Sequence, residues 1–542
     1  MIVTPIKDLA EATDVLVIGS GAAGLTAATR AAETSSVVVL EKAELLGGTT
    51  AAGGGVLWAP ANALGAGAGY ADSRQEGIDY LLAATDGQMS QERAAWYVDR
   101  IGDAVTWLTS NTRVDLVPLA RPDYRLTFPG STQGGRSLDN AAVDVGAVPG
   151  LREALRPSSY FPLLTMDERD SLNGAAPDPE LLASRAESGV RTMGGALAAS
   201  LLLSAVDRGV QVAAGARVTG LERGDDGWLV TINDGQSVIR ARNVVVASGG
   251  FEWNRELQQA FLPHPITPIS APSNEGDGLL LGLRAGAAVD QMTTFWGVPV
   301  ITPPTQTYDG KPSGRMGNVE MTLPGSIVVG SDAKRFVNEA MDYHGTSEVM
   351  GSIDSHSMSR AGIPAWLIFD STYLDSYPVA GSTPGQPAEW MIGADSLEEL
   401  AGKLGLDAAA LAATVARFNE GAERGEDADF GRGASAEDRF LGDDAVTPNP
   451  CLRPLETGPF HAVPLHIGAL GTSGGLATDD DARVLDFAGV PIPGLFAAGN
   501  VAATPFGGAY PGGGSTLGPA ILRGFVAGEY LAKTRIETET QS

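Results

Sequence analysis

Asp14-Val15-Leu16-Val17-Ile18-Gly19-Ser20-Gly21-Ala22-Ala23-Gly24 decides how this chain begins to fold. The short apolar run bounded by Gly19 suits a central parallel strand buried on both faces. The Ala-rich stretch from Ala22 reads as a helix, and Val37 to Leu40 as a second strand ending at Glu41. Strand, glycine turn, helix and strand form a βαβ unit. The first glycine permits the tight turn, the second lets a pyrophosphate approach the backbone, and the third lets helix pack on strand. The helix then points free N–H groups at the phosphates. Glu41, 17 residues past Gly24, is placed to accept hydrogen bonds from ribose hydroxyls and to repel a 2′-phosphate. A lone Gly-x-Gly-x-x-Gly matches many turns, but here strand, helix, second strand and acid are in register.

Working outward, 542 residues are enough for more than one domain. Apolar residues at 43% and charged residues at 19% fit a globular protein rather than a disordered one. Against 65 acidic residues stand 37 basic ones, a net charge of −28 that repels phosphate backbones and anionic lipid. Neither nucleic acid nor membrane insertion is expected, and the chain reads as cytoplasmic. Its single cysteine, Cys451, excludes an intrachain disulfide and a four-cysteine zinc site, and no metal site is expected.

Met193 to Arg208 reads as a helix, followed by short β-rich runs at Gln211 to Ala213, Trp228 to Ile232, Ser237 to Ile239 and Asn243 to Ala247. From about 290 to 450 the chain turns Pro-rich, with a helix from Ala408 to Phe418. The Gly-rich, β-like style then returns and closes with a helix from Ile521 to Lys533. The expected fold is α/β: a Rossmann-like nucleotide-binding domain in two segments, 1–290 and 456–542, with an α+β catalytic cap inserted at 291–455.

Past Glu41-Lys42 come Gly47-Gly48-Thr49-Thr50 and Gly53-Gly54-Gly55, small residues that let backbone amides approach an isoalloxazine ring or a pyrophosphate. Far along the chain, Gly494-Leu495-Phe496-Ala497-Ala498-Gly499-Asn500 is an apolar strand ending in Gly-Asn. Together with Val246-Ala247-Ser248-Gly249-Gly250-Phe251, these segments resemble the flavoprotein superfamily of succinate dehydrogenase and fumarate reductase. The resemblance implies FAD, contacted by Gly19, Gly21, Ala22, Ala23, Gly24, Glu41, Lys42, Gly48, Thr49, Thr50, Gly54, Gly55, Val218, Ser248, Gly249, Gly499, Asn500, Ser515 and Leu517. Some members attach FAD to an N-terminal-domain histidine. No histidine precedes His264, so noncovalent FAD is expected.

The dicarboxylate branch of that superfamily needs arginines that this chain lacks at the matching places. After Arg335-Phe336-Val337-Asn338-Glu339 stands Tyr343, and Tyr510-Pro511-Gly512-Gly513-Gly514-Ser515-Thr516-Leu517-Gly518-Pro519 holds no cation. This last segment is similar to that of the 3-ketosteroid Δ1-dehydrogenases. The resemblance implies that the Tyr510 hydroxyl and the Gly514 N–H hold a ketone oxygen. It makes Tyr343 the base and Tyr124 its hydrogen-bonded partner. Ser515 replaces a family glycine, and Arg125-Leu126-Thr127 departs from the family pattern after Tyr124.

Desaturation beside a ketone needs donors at the developing enolate oxygen, a base for the α-proton and a hydride acceptor, for which flavin N5 serves. A phenol with an ordinary pKa near 10 makes activity lean alkaline. His344 is a rival base by pKa. His461 and His466 read as loop or core residues, and Trp58, Phe295 and Trp296 as core before substrate lining. The expected reaction is FAD-dependent α,β-dehydrogenation of a small apolar ketone, foremost a 3-ketosteroid, feeding an unidentified electron acceptor. Alternatives are a smaller alicyclic ketone, a fumarate-type ene reductase and a non-catalytic flavin-binding module.

Overall fold

The first strand spans Ala12–Ile18 and lies inside an eight-stranded sheet. The structure, a computed structural model, describes residues 2–172, 177–355 and 358–541, with 535–541 by backbone only. Ala12–Ile18 runs parallel to Val37–Leu40 on one side and to Ser237–Val246 on the other. Gln211–Ala213 continues the parallel order beyond Val37–Leu40, and Pro491–Ala497 beyond Ser237–Val246. Val15, Leu16 and Val17 are buried on both faces, as a short apolar run in a covered parallel sheet requires. At its end Gly19 has φ +110°, and a Cβ there would stand 2.3 Å from the Ala247 carbonyl oxygen. Only glycine closes this turn. The helix Ala22–Ala31 follows, and its small residues let the closing helix, Leu517–Gln541, pack along it.

Ser237 to Val246 is one strand, not the two short runs expected. Its first residues pair with the antiparallel strand Gly227–Ile232 and its later ones with the parallel neighbours, so ladder hydrogen bonds bridge the charged Arg240-Ala241-Arg242 stretch. Helices form at Met193–Asp207 and Ala408–Ala422, within a few residues of expectation.

A second, seven-stranded sheet is centred on Phe460–Thr472, which pairs antiparallel with both Phe295–Ile301 and Ala365–Phe369. The expected second segment, 456–542, thus begins with a strand of this sheet, and the chain returns to the first sheet after Thr472. Thr267–Pro268, assigned to the first segment, also pairs with this sheet, at Gly468 and Ala469. Glycine-rich composition does not separate the two sheets, because membership is fixed by pairing across long loops. Trp58, Phe295 and Trp296 are core residues. Among the described residues no helix is long and apolar enough to cross a membrane.

Candidate active site

A cavity of about 640 Å³ runs from the glycine turn to a cluster of phenols. At the turn it is lined by Gly19, Ser20, Gly21, Ala22, Ala23, Glu41, Lys42, Gly48, Thr49, Thr50, Gly54, Gly55, Val218, Ser248 and Gly249. Gly499, Asn500, Gly514 and Leu517 line it further along. Two of the expected contact residues lie elsewhere. Gly24 packs against Gly19 and Ala247 behind the turn, the helix-packing place of the motif's third glycine. Ser515 is fully buried, and its hydroxyl accepts the Gly512 N–H (3.0 Å) and donates to the Gly512 carbonyl (2.7 Å). It shapes the loop rather than facing the cavity.

The donor set fits a flavin dinucleotide. The N-cap Gly21 offers no side-chain acceptor and Thr50 Oγ1 takes only the Ala22 N–H (2.9 Å), which leaves the rest of the helix N-terminus open to phosphate. Glu41 Oε2 accepts the Ser20 N–H (3.0 Å) and hydroxyl (2.7 Å), which fixes the carboxylate at the cavity wall where a ribose is expected. Lys42 is paired with Glu275 and Asp277, each at 2.9 Å, so its charge is already matched. Asn500 is oriented by the Trp296 indole N–H, 3.1 Å from its Oδ1.

The phenols come from three separate segments, tied together by buried polar contacts. Tyr343 opens the helix Tyr343–Gly351, whose N-cap Asp342 accepts the Gly345 N–H at 2.7 Å. Arg125, next to Tyr124, forms an ion pair with that same Asp342. The Tyr124 N–H donates to the Pro511 carbonyl (3.2 Å), which also accepts the Tyr80 hydroxyl (2.5 Å). Ser137 Oγ donates to the Gly513 carbonyl at 2.8 Å. Asp123, held by Arg136 (2.8 Å) and the Trp58 indole (2.9 Å), anchors the start of the Tyr124 loop.

The Tyr343 hydroxyl donates to Tyr510 Oη at 2.8 Å, and the Tyr510 and Thr516 hydroxyls lie 3.2 Å apart. The rings of Tyr124 and Tyr510 stack at 5.8 Å, and Tyr343 meets both edge-on, at 5.5 and 5.2 Å. The Tyr343 hydroxyl thus donates to Tyr510, while Tyr124, the partner that the resemblance implied, also acts on Tyr343 through a side-chain hydrogen bond. Burial, reinforced by the neighbouring phenols, pushes Tyr343 well above the ordinary phenol value, and burial does the same to Tyr124. Tyr510 is raised as well, by burial, with the Thr516 and Tyr343 hydrogen bonds opposing.

Gly514 has φ +104°, and a Cβ there would stand 2.5 Å from Leu57 C and Trp58 N. Its carbonyl accepts the N–H groups of Trp58 and Gly518, while its own N–H has no partner among the described residues. A free N–H at the cavity wall beside the Tyr510 loop is a ready donor.

His344 is occupied elsewhere. Its Nδ1 accepts the Gly297 N–H (3.1 Å), so Nε2 carries the proton and donates to the Gly508 carbonyl (2.8 Å). It lies outside the cavity lining, and Tyr343 faces inward.

Sequence reasoning missed a charged wall. Arg121, Tyr160, Arg169, Asp170, Arg315 and Glu320 all line the cavity. They come from four separate stretches with no common spacing, and only a three-dimensional contact list brings them together.

The family model described as FAD binding domain matches residues 14–517. The chain is 41% identical over 534 residues to a 4-oxocyclohexanecarboxylate 2-dehydrogenase of Sinomonas cyclohexanicum, covering 96% of this chain and 92% of that protein. It is 36% identical over 560 residues to a 3-oxosteroid 1-dehydrogenase of Mycobacterium tuberculosis (strain ATCC 25618 / H37Rv), covering 96% and 98%. A crystal structure of 3-ketosteroid delta1-dehydrogenase from Sterolibacterium denitrificans, in complex with 1,4-androstadiene-3,17-dione, superposes with a TM-score of 0.89. The two share 33% identity, over 97% of this chain and 100% of that one.

Proposed function

The chain belongs to the FAD-binding-domain family and, within it, to the 3-ketosteroid Δ1-dehydrogenase family, and from that premise we propose that it desaturates a cyclic ketone beside its carbonyl. The observation that carries this reading is the meeting of three phenols and a free backbone N–H in one cavity with the dinucleotide cradle.

The Tyr510 hydroxyl and the Gly514 N–H hold the ketone oxygen and stabilise the negative charge that develops there. Tyr343, as phenolate, takes the α-proton, and Tyr124, packed edge-on against its ring, is the neighbouring phenol that steadies that charge. FAD, when bound, supplies the acceptor for the hydride that leaves the neighbouring carbon. No histidine or cysteine lines the cavity among the described residues, which supports noncovalent attachment. The layer built on the second sheet delivers Tyr343 from one side, while the Tyr510 loop arrives from the other. That arrangement supports a cap on a nucleotide-binding domain built from two separated segments.

A 3-ketosteroid is the substrate named for several relatives, and the reading includes it. The smaller alicyclic ketone is favoured by a separate observation: the cavity wall carries arginines, and the 41% relative is named for a cyclohexanone that bears a carboxylate. Anaerobic bleaching of the flavin-loaded protein tests the reaction itself. A saturated 3-ketosteroid or 4-oxocyclohexanecarboxylate should reduce the flavin, and Tyr510→Phe and Tyr343→Phe should slow that reduction. Flavin that stays oxidised with every ketone sinks the proposal.

A further inference from the structure

The wall of the cavity around Arg169 holds guanidinium groups with no ion-pair partner among the described residues. Arg121 is matched, with Nε and Nη2 each 2.6 Å from the two oxygens of Asp170. Arg169 is not. It is half-buried and lines the cavity, and the one hydrogen-bond contact of its side chain among the described residues is Met166 Sδ at 3.9 Å, a weak acceptor. Arg315 donates Nε to Gln306 Oε1 (3.0 Å) and lays its guanidinium 5.6 Å from the Tyr160 ring centroid, again with no carboxylate partner among the described residues. Tyr160 Oη accepts the Met316 N–H at 3.3 Å, and its own O–H has no acceptor among the described residues.

Of the acids beside Arg169, Asp170 is already engaged by Arg121, and Glu320 accepts the Ala380 N–H at its Oε1 at 3.1 Å. Burial pushes the Glu320 carboxyl up, toward its neutral form. Two guanidinium groups without a carboxylate partner among the described residues therefore stand beside one carboxylate already held by Arg121 and one carboxyl that resists ionisation. Removing a guanidinium from water without a counterion is expensive, so an excess of positive charge at a cavity wall points to an anionic ligand.

We propose that Arg169, assisted by Arg315 and the Tyr160 hydroxyl, binds a carboxylate carried by the ketone substrate, making the chain selective for small cyclic oxo acids. The proposal rests on the dehydrogenation reading. Arg121, Arg169, Tyr124 and Tyr343 line one cavity, and Arg121 is electrostatically coupled both to the two phenols and to Arg169. Ketone and carboxylate would thus be held on one cavity wall. Guanidinium suits this task because its planar fork donates two parallel hydrogen bonds to a carboxylate.

The test uses the flavin-loaded full chain with an artificial electron acceptor. The probes are 4-oxocyclohexanecarboxylate, its methyl ester and a saturated 3-ketosteroid. Wild type should favour the acid over the ester by about 10- to 100-fold in kcat/KM, the worth of a charge-assisted pair. In Arg169→Met that ratio should collapse toward one, chiefly through KM for the acid, and Arg169→Lys should restore part of it. Cyclohexanecarboxylate, which has no ketone to oxidise, should perturb the flavin absorbance of wild type and not of Arg169→Met. If Arg169→Met fails to retain flavin, the wild-type ratio and Arg315→Met decide. Equal use of acid and ester by wild type, or an unchanged ratio in Arg169→Met, overturns the carboxylate site while leaving ketone dehydrogenation standing. Failure of all three ketones to bleach the flavin, with cyclohexanecarboxylate still bound, removes the reaction instead.

Discussion

Replacing Tyr510 by Phe removes one oxygen that carries two jobs. In the resting protein that oxygen accepts the Tyr343 hydroxyl at 2.8 Å and lies 3.2 Å from Thr516 Oγ1. In the proposed reaction its proton is one of two donors to the ketone oxygen, the other being the Gly514 N–H, whose loop the substitution leaves intact. Loss of one such donor costs about 3–4 kcal/mol in the barrier, or about 10²–10³ in kcat, while the second donor keeps the residual rate above background. The pH profile should move too. The hydrogen bond that the Tyr343 hydroxyl donates to Tyr510 favours the protonated form of Tyr343 and helps to raise its pKa. Without it the phenolate of Tyr343 forms at lower pH, so the alkaline-leaning limb of kcat/KM, which reports the free enzyme, should shift toward neutrality. Single-turnover flavin bleaching across pH, on protein checked for full flavin content, measures both effects. A Tyr510→Phe rate within about fivefold of wild type would refute the oxyanion assignment, because the donor would then be worth under about 1 kcal/mol. An unmoved limb would refute the coupling of the two phenols.

Tyr343→Phe should lower kcat by about 10²–10⁴, the usual worth of a general base, and abolish the alkaline limb in the same bleaching assay. His344→Ala leaves the buried Gly297 N–H unpaired, while the Gly508 carbonyl can turn to water, so it should destabilise the fold by about 1–3 kcal/mol in denaturant titrations without moving the limb. Gly514→Ala forces a Cβ to 2.5 Å from the Leu57–Trp58 backbone, and should cost both thermal stability and bleaching rate, since the N–H cannot stay in place. Burial raises the Asp139 carboxyl from 3.8 to about 6. A raised acid favours its protonated form in the fold, so stability present at low pH is lost as pH climbs from about 4 to 6, by about 3 kcal/mol at most. Asp139→Asn keeps an oxygen for the Met166 and Asp167 N–H groups, and should be more stable than wild type at pH 8 but not at pH 4. Denaturant midpoints at the two pH values decide it.

The parts of the fold legible in the sequence were those set by neighbours along the chain. The strand at Ala12–Ile18, the turn at Gly19 and the helix at Ala22–Ala31 follow from apolar patterning and one glycine that no other residue can replace. The sheet that Phe460–Thr472 joins was not legible, because its partners Phe295–Ile301 and Ala365–Phe369 lie some ninety residues or more away, and nothing local records the pairing. Tyr343 and His344 show the limit at the scale of one residue. Adjacent helical positions differ by about 100° in direction, so sequence cannot say which faces the cavity. The structure answers through the two backbone groups that occupy the imidazole. The arginines were invisible for another reason: Arg121, Arg169 and Arg315 share no motif, and each alone reads as a solvated surface charge.

The two ends of the cavity differ in how they are built, and that difference bears on how one reaction can serve unlike ketones. The phenol end is over-determined. Tyr124 is tied to Pro511 through its backbone, Arg125 to Asp342, Ser137 to Gly513 and Asp123 to Arg136, most of these contacts buried. A change at any of these contacts moves a group that must lie within hydrogen-bond reach of the reacting atoms, where an error near 1 Å costs about 10²-fold. The charged end draws on residues 160–170 and 315–320, short helices and loops whose arginines are held by few contacts. Substitution there changes what the cavity wall attracts without disturbing the geometry at Tyr343 and Tyr510. Relatives named for a steroid and for a cyclohexanone carboxylate, both spanning nearly the whole chain, are what such a division of labour would produce. On this reasoning, selectivity among ketones should respond to exchanges at Arg169, Arg315 and Tyr160 far more than the pH dependence of proton removal does, because the two properties are carried by separate segments of one wall.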